Sequence, residues 1–345
     1  MNVSSSSSFS LSEFITGIPL PAEEKTRQRD YLAYCYGNGK TFGEYYVSLI
    51  ANYFGFPWDC RVAILHRLTI YLRAYTIVDD DVRDIPHFKH GSSLEPLRDY
   101  FLEMAWTEAH TLSSRGISAV KILETELDRY HHTSDFYSKL HSMAKFHAVD
   151  VSYTEKYADR MAMIRVPLLL LGSQSENERL IKSGRRGLEH LMRALQILDD
   201  LVDWEEDLRE GRITYPIVCY LATLPTTEAE EITQGIFRNE FEEIEKNIRA
   251  LSQQLLHHYI ILEQLDLAYQ ILDEATVDFV KGLGNKLLSK AVNIRQRVDW
   301  VRSGYSILGS SGTKQGGLIL RLKRSGAAPQ RLTWERGKDA GYRRT

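Results

Sequence analysis

Between Leu195 and Pro216 the chain reads LQILDDLVDWEEDLREGRITYP, an apolar helical pattern interrupted by acids rather than by turn residues. Leu195, Ile197, Leu198, Leu201, Val202 and Leu208 recur at helical spacing, and neither Gly nor Pro occurs before Gly211, which predicts one helix ending there. Asp199 and Asp203 are four residues apart and share a face with Gln196, while Asp200 sits one step round, so carboxylates project together near the C-terminal half of that helix. They repel one another, and the helix dipole disfavours each anion there by about 0.3–1 kcal/mol. A cation is the expected partner. Hard divalent ions take oxygen ligands, and Mg²⁺ in particular is usually shared between one or two carboxylates and a substrate phosphate. For an isolated acidic run, a solvated face would be sufficient explanation.

The run is not isolated. Asp79, Asp80, Asp81 and Asp84 close the apolar stretch Val62 to Val78, so DDxxD occurs twice, at Asp80–Asp84 and at Asp199–Asp203, each time at the end of a long apolar helix. Neither cluster has an obvious cationic partner in its own helix. Two such acidic mouths, brought face to face, would clamp a diphosphate through metal ions.

The rest of the chain reads as helix. From Phe42 to Asp84 there are two helical stretches broken near Gly55 and Pro57, the second long enough, at about 37 Å, to cross a domain. Arg73, Thr76, Ile77, Asp80 and Asp84 lie along one side of it, which places Tyr75 and Thr76 one turn before the aspartates as candidate pocket-lining residues. Arg73 needs a carboxylate partner that the sequence does not identify. Further helices are expected over Leu94 to Leu112, Ile117 to His131, Asp135 to Tyr157 and on to Leu171, with a kink at Pro167 near Arg160 and Arg165. After Pro216 the pattern is amphipathic from Glu228 to about Leu272 and on to Val301, without strand-like alternation. The expected fold is all-α, a single helical bundle with a central active-site cavity.

Tyr36-Gly-Asn-Gly-Lys-Thr41 is not a phosphate-cradling P-loop, because that motif needs glycine where Tyr34 stands and a preceding strand. His131, His132, His141 and His147 form no HExxH pair and read as surface or helix-end residues. The three cysteines, Cys35, Cys60 and Cys219, are far apart and form no CxxC, as expected of free core thiols in the cytoplasm. With 43 Lys plus Arg against 46 acids the net charge is −3, which gives no general attraction to nucleic acid. No apolar run is long enough for a membrane span, since the best candidate, Met161 to Gly172, carries Arg165 and Pro167.

In these residues the chain resembles the trans-isoprenyl diphosphate synthases, within the class I isoprenoid and terpene synthase superfamily. The likeness runs from Gly37 to Pro216. Gly39-Lys40 looks like the remnant of GGKRxRP, Asp80 to Asp84 matches the first DDxxD, and Lys89-His90-Gly91 stands where RRG follows it. Arg160 falls near the phosphate-binding Lys, Gln196 to Asp203 matches QxxDDxxD, and residues 207–216 resemble DLxxGKxTLP. The resemblance implies Mg²⁺, three ions assembled with an allylic prenyl diphosphate, on Asp80, Asp81, Asp84, Asp199, Asp200 and Asp203. It assigns substrate contacts to Lys40, Tyr75, Thr76, Lys89, Arg160, Gln196 and Arg212, and admits a homodimer. Lys40 has the alternative of an ordinary helix-turn lysine, and Tyr71 and Tyr75 that of core packing.

The departures matter as much. Thr41 and Gly43 replace the two arginines of GGKRxRP, Lys89-His90 gives point charge without forked geometry, and the usual insertion after the second DDxxD is missing. The allylic site is kept and the isopentenyl site degraded. The leading expectation is therefore a class I terpene synthase that ionises a prenyl diphosphate and lets its own double bonds attack the cation. The alternatives are a prenyltransferase, either chain-elongating or head-to-head as residues 203–216 suggest, and an inactive regulatory relative. Residues 1–20 read as a flexible Ser-rich leader, 21–303 as the synthase domain, and 304–345, with eight of the 22 glycines, as a flexible basic tail.

Overall fold

The computed structural model describes residues 9–42, 47–57, 59–84, 91–140, 155–160, 162–175, 178–209 and 214–238, with isolated positions between 266 and 296. In chain order the helices are α1 (Leu11–Gly17), α2 (Ala22–Arg27), α3 (Arg29–Phe42), α4 (Ser48–Tyr53), α5 (Cys60–Asp84), α6 (Gly91–Ser113), α7 (Ala119–Leu140), α8 (Glu155–Arg160), α9 (Ala162–Gly172), α10 (Glu178–Arg209), α11 (Tyr215–Leu221) and α12 (Thr226–Arg238). No strand occurs among the described residues, and the all-α expectation holds. The tail 304–345 and residues 239–265 lie outside them.

Helix α5 starts where the sequence turns from Gly55 and Pro57 to a capping acid. The Oδ1 of Asp59 accepts from the backbone N–H groups of Arg61 (2.8 Å) and Val62 (3.1 Å), satisfying two donors that the first turn leaves open. From there 25 residues run without interruption to Asp84, as their periodicity predicts. Helix α10 runs 32 residues and ends at Arg209, two residues before Gly211. Between them the expected break after His131 is absent, because α7 continues through it to Leu140.

Contacts divide the described residues into two compact units. Those up to Glu126, together with Met163–Glu178, form one, and Leu127–Ala162 with the residues from Arg179 onward form the other. In the first unit α5 packs along α6 and α3. The α3–α5 approach depends on Gly39, since a Cβ there would lie 2.8 Å from the carbonyl oxygen of Ile70 and 3.0 Å from its Cα. In the same unit Arg165 of α9, in a helix otherwise almost wholly apolar, is buried and donates from Nε to Glu126 at 2.8 Å. Its role is structural, and removing one partner of such a pair costs about 3–5 kcal/mol.

Two expectations need correction here. Residues 11–17 are not part of a flexible leader: Ser10 and Glu13 form a reciprocal capping box, and α1 buries Phe14 completely against Tyr36, Tyr71 and Phe101. The serine run masks an amphipathic turn whose few apolar residues are all used. Of the cysteines, only Cys35 is buried; Cys60, at the exposed start of α5, receives a hydrogen bond from Arg115.

Candidate diphosphate and metal site

The first aspartate cluster ends α5. Asp79 is buried and bound by Arg83 four residues on, at 2.8 Å, so this helix does contain a cationic partner for its acids, contrary to expectation. The pair explains why Asp79, which lies outside DDxxD, precedes it: it neutralises Arg83 and leaves the motif proper to begin at Asp80. Asp80 and Asp81 are half-buried, and the phenol of Tyr31, on α3, donates to Oδ2 of Asp81 at 2.8 Å. Burial, then the neighbouring Cys35 and the Asp81 charge, pushes the Tyr31 phenol far up, so it stays a donor at every physiological pH. The Cys35 thiol is held protonated by burial as well. Asp84 belongs to α5, but its side chain lies outside the described residues.

One turn earlier, Tyr75 and Thr76 are both buried. Burial and the Asp79 charge raise the Tyr75 phenol. Thr76 turns its hydroxyl to its own helix, donating to the Arg73 carbonyl at 3.0 Å and accepting from Arg73 Nη1 at 3.4 Å. That contact engages the awkward arginine along its own helix. Lys40 is half-buried near the C-terminal end of α3, with Nζ 6.0 Å from the centroid of the Tyr36 ring, so the Gly-Asn-Gly-Lys stretch is regular helix and not a phosphate loop. Lys89 lies outside the described residues.

The second cluster is carried by α10 in the other unit. Gln196 and Asp200 are both buried, and Nε2 of Gln196 donates to Oδ1 of Asp200 at 2.8 Å. The glutamine thus braces Asp200. Asp199 and Asp203 stand on α10 with side chains outside the described residues, and Arg212 lies outside them altogether. Arg160, half-buried, ends α8. Each cluster thus stands on one helix, α5 in the first unit and α10 in the second.

The donor chemistry fits a hard divalent cation. Asp80 and Asp81 offer carboxylate oxygens, and burial pushes the nearby Cys35 thiol up. Among the described residues no three His, Cys, Asp or Glu side chains converge on one point. Mg²⁺ fits such a set, because it is ordinarily held by one or two carboxylates with substrate phosphates completing the shell. Among the described residues, too, no helix is long and apolar enough to cross a membrane.

No protein-family model matches the sequence, and no curated protein matches it. Solved structures do match. The structure superimposes on a polyprenyl synthase from Caulobacter crescentus, complexed with calcium and isoprenyl diphosphate, with a TM-score of 0.63 and 16% identity over 85% of this chain and 93% of that one. A geranylgeranyl pyrophosphate synthase from Lactobacillus brevis matches with a TM-score of 0.63 and 14% identity over 84% and 94%. A heptaprenyl diphosphate synthase from Staphylococcus aureus gives 0.59 and 13% over 88% and 96%. The chain has the all-α fold of the trans-isoprenyl diphosphate synthases. Within this synthase fold, Tyr31 and Arg83 are the site residues that sequence reasoning missed. Arg83 was readable, four residues beyond Asp79; Tyr31 was not, since only the packing of α3 on α5 brings it to Asp81.

Proposed function

We propose that the chain is a divalent-metal-dependent prenyltransferase, which ionises an allylic prenyl diphosphate and passes the prenyl group to an external nucleophile. The observation that carries this reading is the match of 84–88% of the chain to three prenyl diphosphate synthases, with the aspartates of both DDxxD patterns at the helical positions their spacing predicts. The same coverage supports residues 21–303 as one synthase domain, to which α1 must now be added.

Bound Mg²⁺ would supply Lewis-acid withdrawal of electrons from the diphosphate. The chain's own residues do the rest. Asp80, Asp81 and Asp84 from α5, with Asp199, Asp200 and Asp203 from α10, would hold the metal-bound diphosphate. Tyr31 fixes the orientation of Asp81, and Gln196 that of Asp200. Arg160, Lys89 and Arg212 would meet phosphate oxygens, and Tyr75 and Thr76 would bound the space for the prenyl chain.

A second reading, the terpene synthase in which the substrate's own double bonds attack, is favoured by one observation. Gly39 is committed to packing against Ile70 and Lys40 continues the helix, so the GGKRxRP remnant has become part of the scaffold. The two readings separate in one experiment: pure protein with Mg²⁺ and geranyl, farnesyl or geranylgeranyl diphosphate, with and without isopentenyl diphosphate. Longer prenyl diphosphates formed only with the co-substrate support transfer. Hydrocarbon or prenyl alcohol with free diphosphate, unchanged by isopentenyl diphosphate, would overturn it in favour of the cyclase.

A further inference from the structure

Upstream of Asp199–Asp203 on α10, the second unit contains a pocket of about 390 Å³ in which every lining residue is ionisable. Arg129 reaches it from α7, and Arg185, Arg186, His190 and Arg193 from α10. Two acids complete the wall, Asp159 of α8 and Glu189 of α10. Four guanidiniums against two carboxylates leave an excess of two positive charges, counting His190 as neutral. In a protein whose net charge is −3, that local excess runs against the whole.

The geometry of α10 produces this collection. Arg185, Glu189 and Arg193 follow one another at four-residue spacing, and Arg186 and His190 form the adjacent row, so one face of about two helical turns carries all five. Arg185 is engaged by Glu189 at 2.7 Å and His190 lies 3.6 Å from Glu274, whereas Arg186 is exposed at the mouth. Guanidinium is the group suited to phosphate, which it can bind through two parallel N–H donors. The volume lies at the small end of the usual range for ligand sites, about 300–1,000 Å³. The lining offers no apolar wall on which a prenyl chain could lie.

We infer that this pocket is an anion site for a diphosphate group, bound without metal and distinct from the aspartate cluster further along α10. Along α10, Arg193 precedes Asp200 by seven residues and Arg186 precedes Asp199 by thirteen, roughly 10 and 20 Å at the helical rise. The bound group is the headgroup alone, whether it comes as inorganic diphosphate, the by-product of the proposed reaction, or on a prenyl diphosphate. The inference rests on the arginine geometry and not on that reaction.

The test is calorimetric titration of the full-length protein, in EDTA, with inorganic diphosphate. Binding is expected for the wild type and for Asp80→Asn with Asp199→Asn, and it should weaken as ionic strength rises. Arg186→Gln, at an exposed position that leaves the fold intact, should lose roughly tenfold in affinity, and Arg129→Gln a similar amount, the loss expected for one charge-assisted hydrogen bond. A non-hydrolysable geranyl thiodiphosphate should bind no more tightly than inorganic diphosphate; tighter binding would make a prenyl diphosphate the natural source. Absence of binding without metal, or wild-type affinity in both arginine variants, would overturn the assignment. Loss of binding in the aspartate variant would move it to the metal site.

Discussion

At the end of α5, Asp79 is locked to Arg83 and Asp81 receives a hydrogen bond from a tyrosine on another helix, whereas on α10 the buried Asp200 is held by a glutamine one turn back in the same helix. The two stretches are spelled alike, yet Asp81 receives its hydrogen bond from a neighbouring helix and Asp200 from its own. A carboxylate braced from within its own helix keeps its geometry wherever the helix goes. One braced from a neighbouring helix is only as well placed as the packing of α3 on α5, which Gly39 permits. The first cluster should therefore be sensitive to distant changes and the second to local ones.

Removing a metal-binding acid from either cluster has the largest expected effect. Asp80→Asn and Asp199→Asn should each lower kcat by about a hundredfold or more, the scale of losing one preorganised group that stabilises developing charge, while the far-UV helical signal stays unchanged. Similar losses would mean that both clusters serve one diphosphate; a loss confined to one would break the symmetry of the motif. Next comes Gln196→Leu. Asp200 is only 5% exposed, and losing its amide donor should destabilise the fold by about 1–3 kcal/mol, read from thermal unfolding, and lower turnover as well.

Tyr31→Phe is the corresponding change at the first cluster and should be milder, because Asp81 is half-buried and water can replace the phenol. The apparent affinity for Mg²⁺, measured by calorimetry or from the metal dependence of kcat/KM, should fall by up to roughly tenfold. An undiminished metal affinity would show that the hydrogen bond does not position Asp81. The smallest effect concerns alkaline pH. Tyr31 and Cys35 both have folded-state values raised above their unfolded ones, so the folded protein retains protons that the unfolded chain releases. Their contribution is full below about pH 8.5 and declines as pH rises, through the thiol first and the phenol above about pH 10. In Tyr31→Phe the decline above pH 10 should be shallower than in the wild type, and an equal slope would remove the phenol from the account.

Much of this was legible before any coordinates. The ends of α5 and α10 follow from where the apolar period meets Asp84 and Gly211, and the positions of Asp80, Asp81 and Asp200 follow from those helices. What escaped was non-local. No period links Tyr31 to Asp81, fifty residues apart, and none marks Arg165 as the buried partner of Glu126. The arginines of α10 were equally visible as letters, but only the fold brings Arg129 alongside them.

Helix α1 has a consequence for the order in which the molecule assembles. Phe14 packs on Tyr71 and on Phe101, residues 57 and 87 positions further along the chain. At ordinary synthesis rates of about 5–20 residues per second, Phe101 is translated roughly 4–17 s after Phe14. Until then the N-terminal turn, seven residues long and too short to hold itself together in water, lacks the stacked ring that completes the burial of Phe14. Helix α1 thus reaches its full packing only once α6 has been made, and a nascent chain halted before α6 would leave the ring of Phe14 without its Phe101 partner.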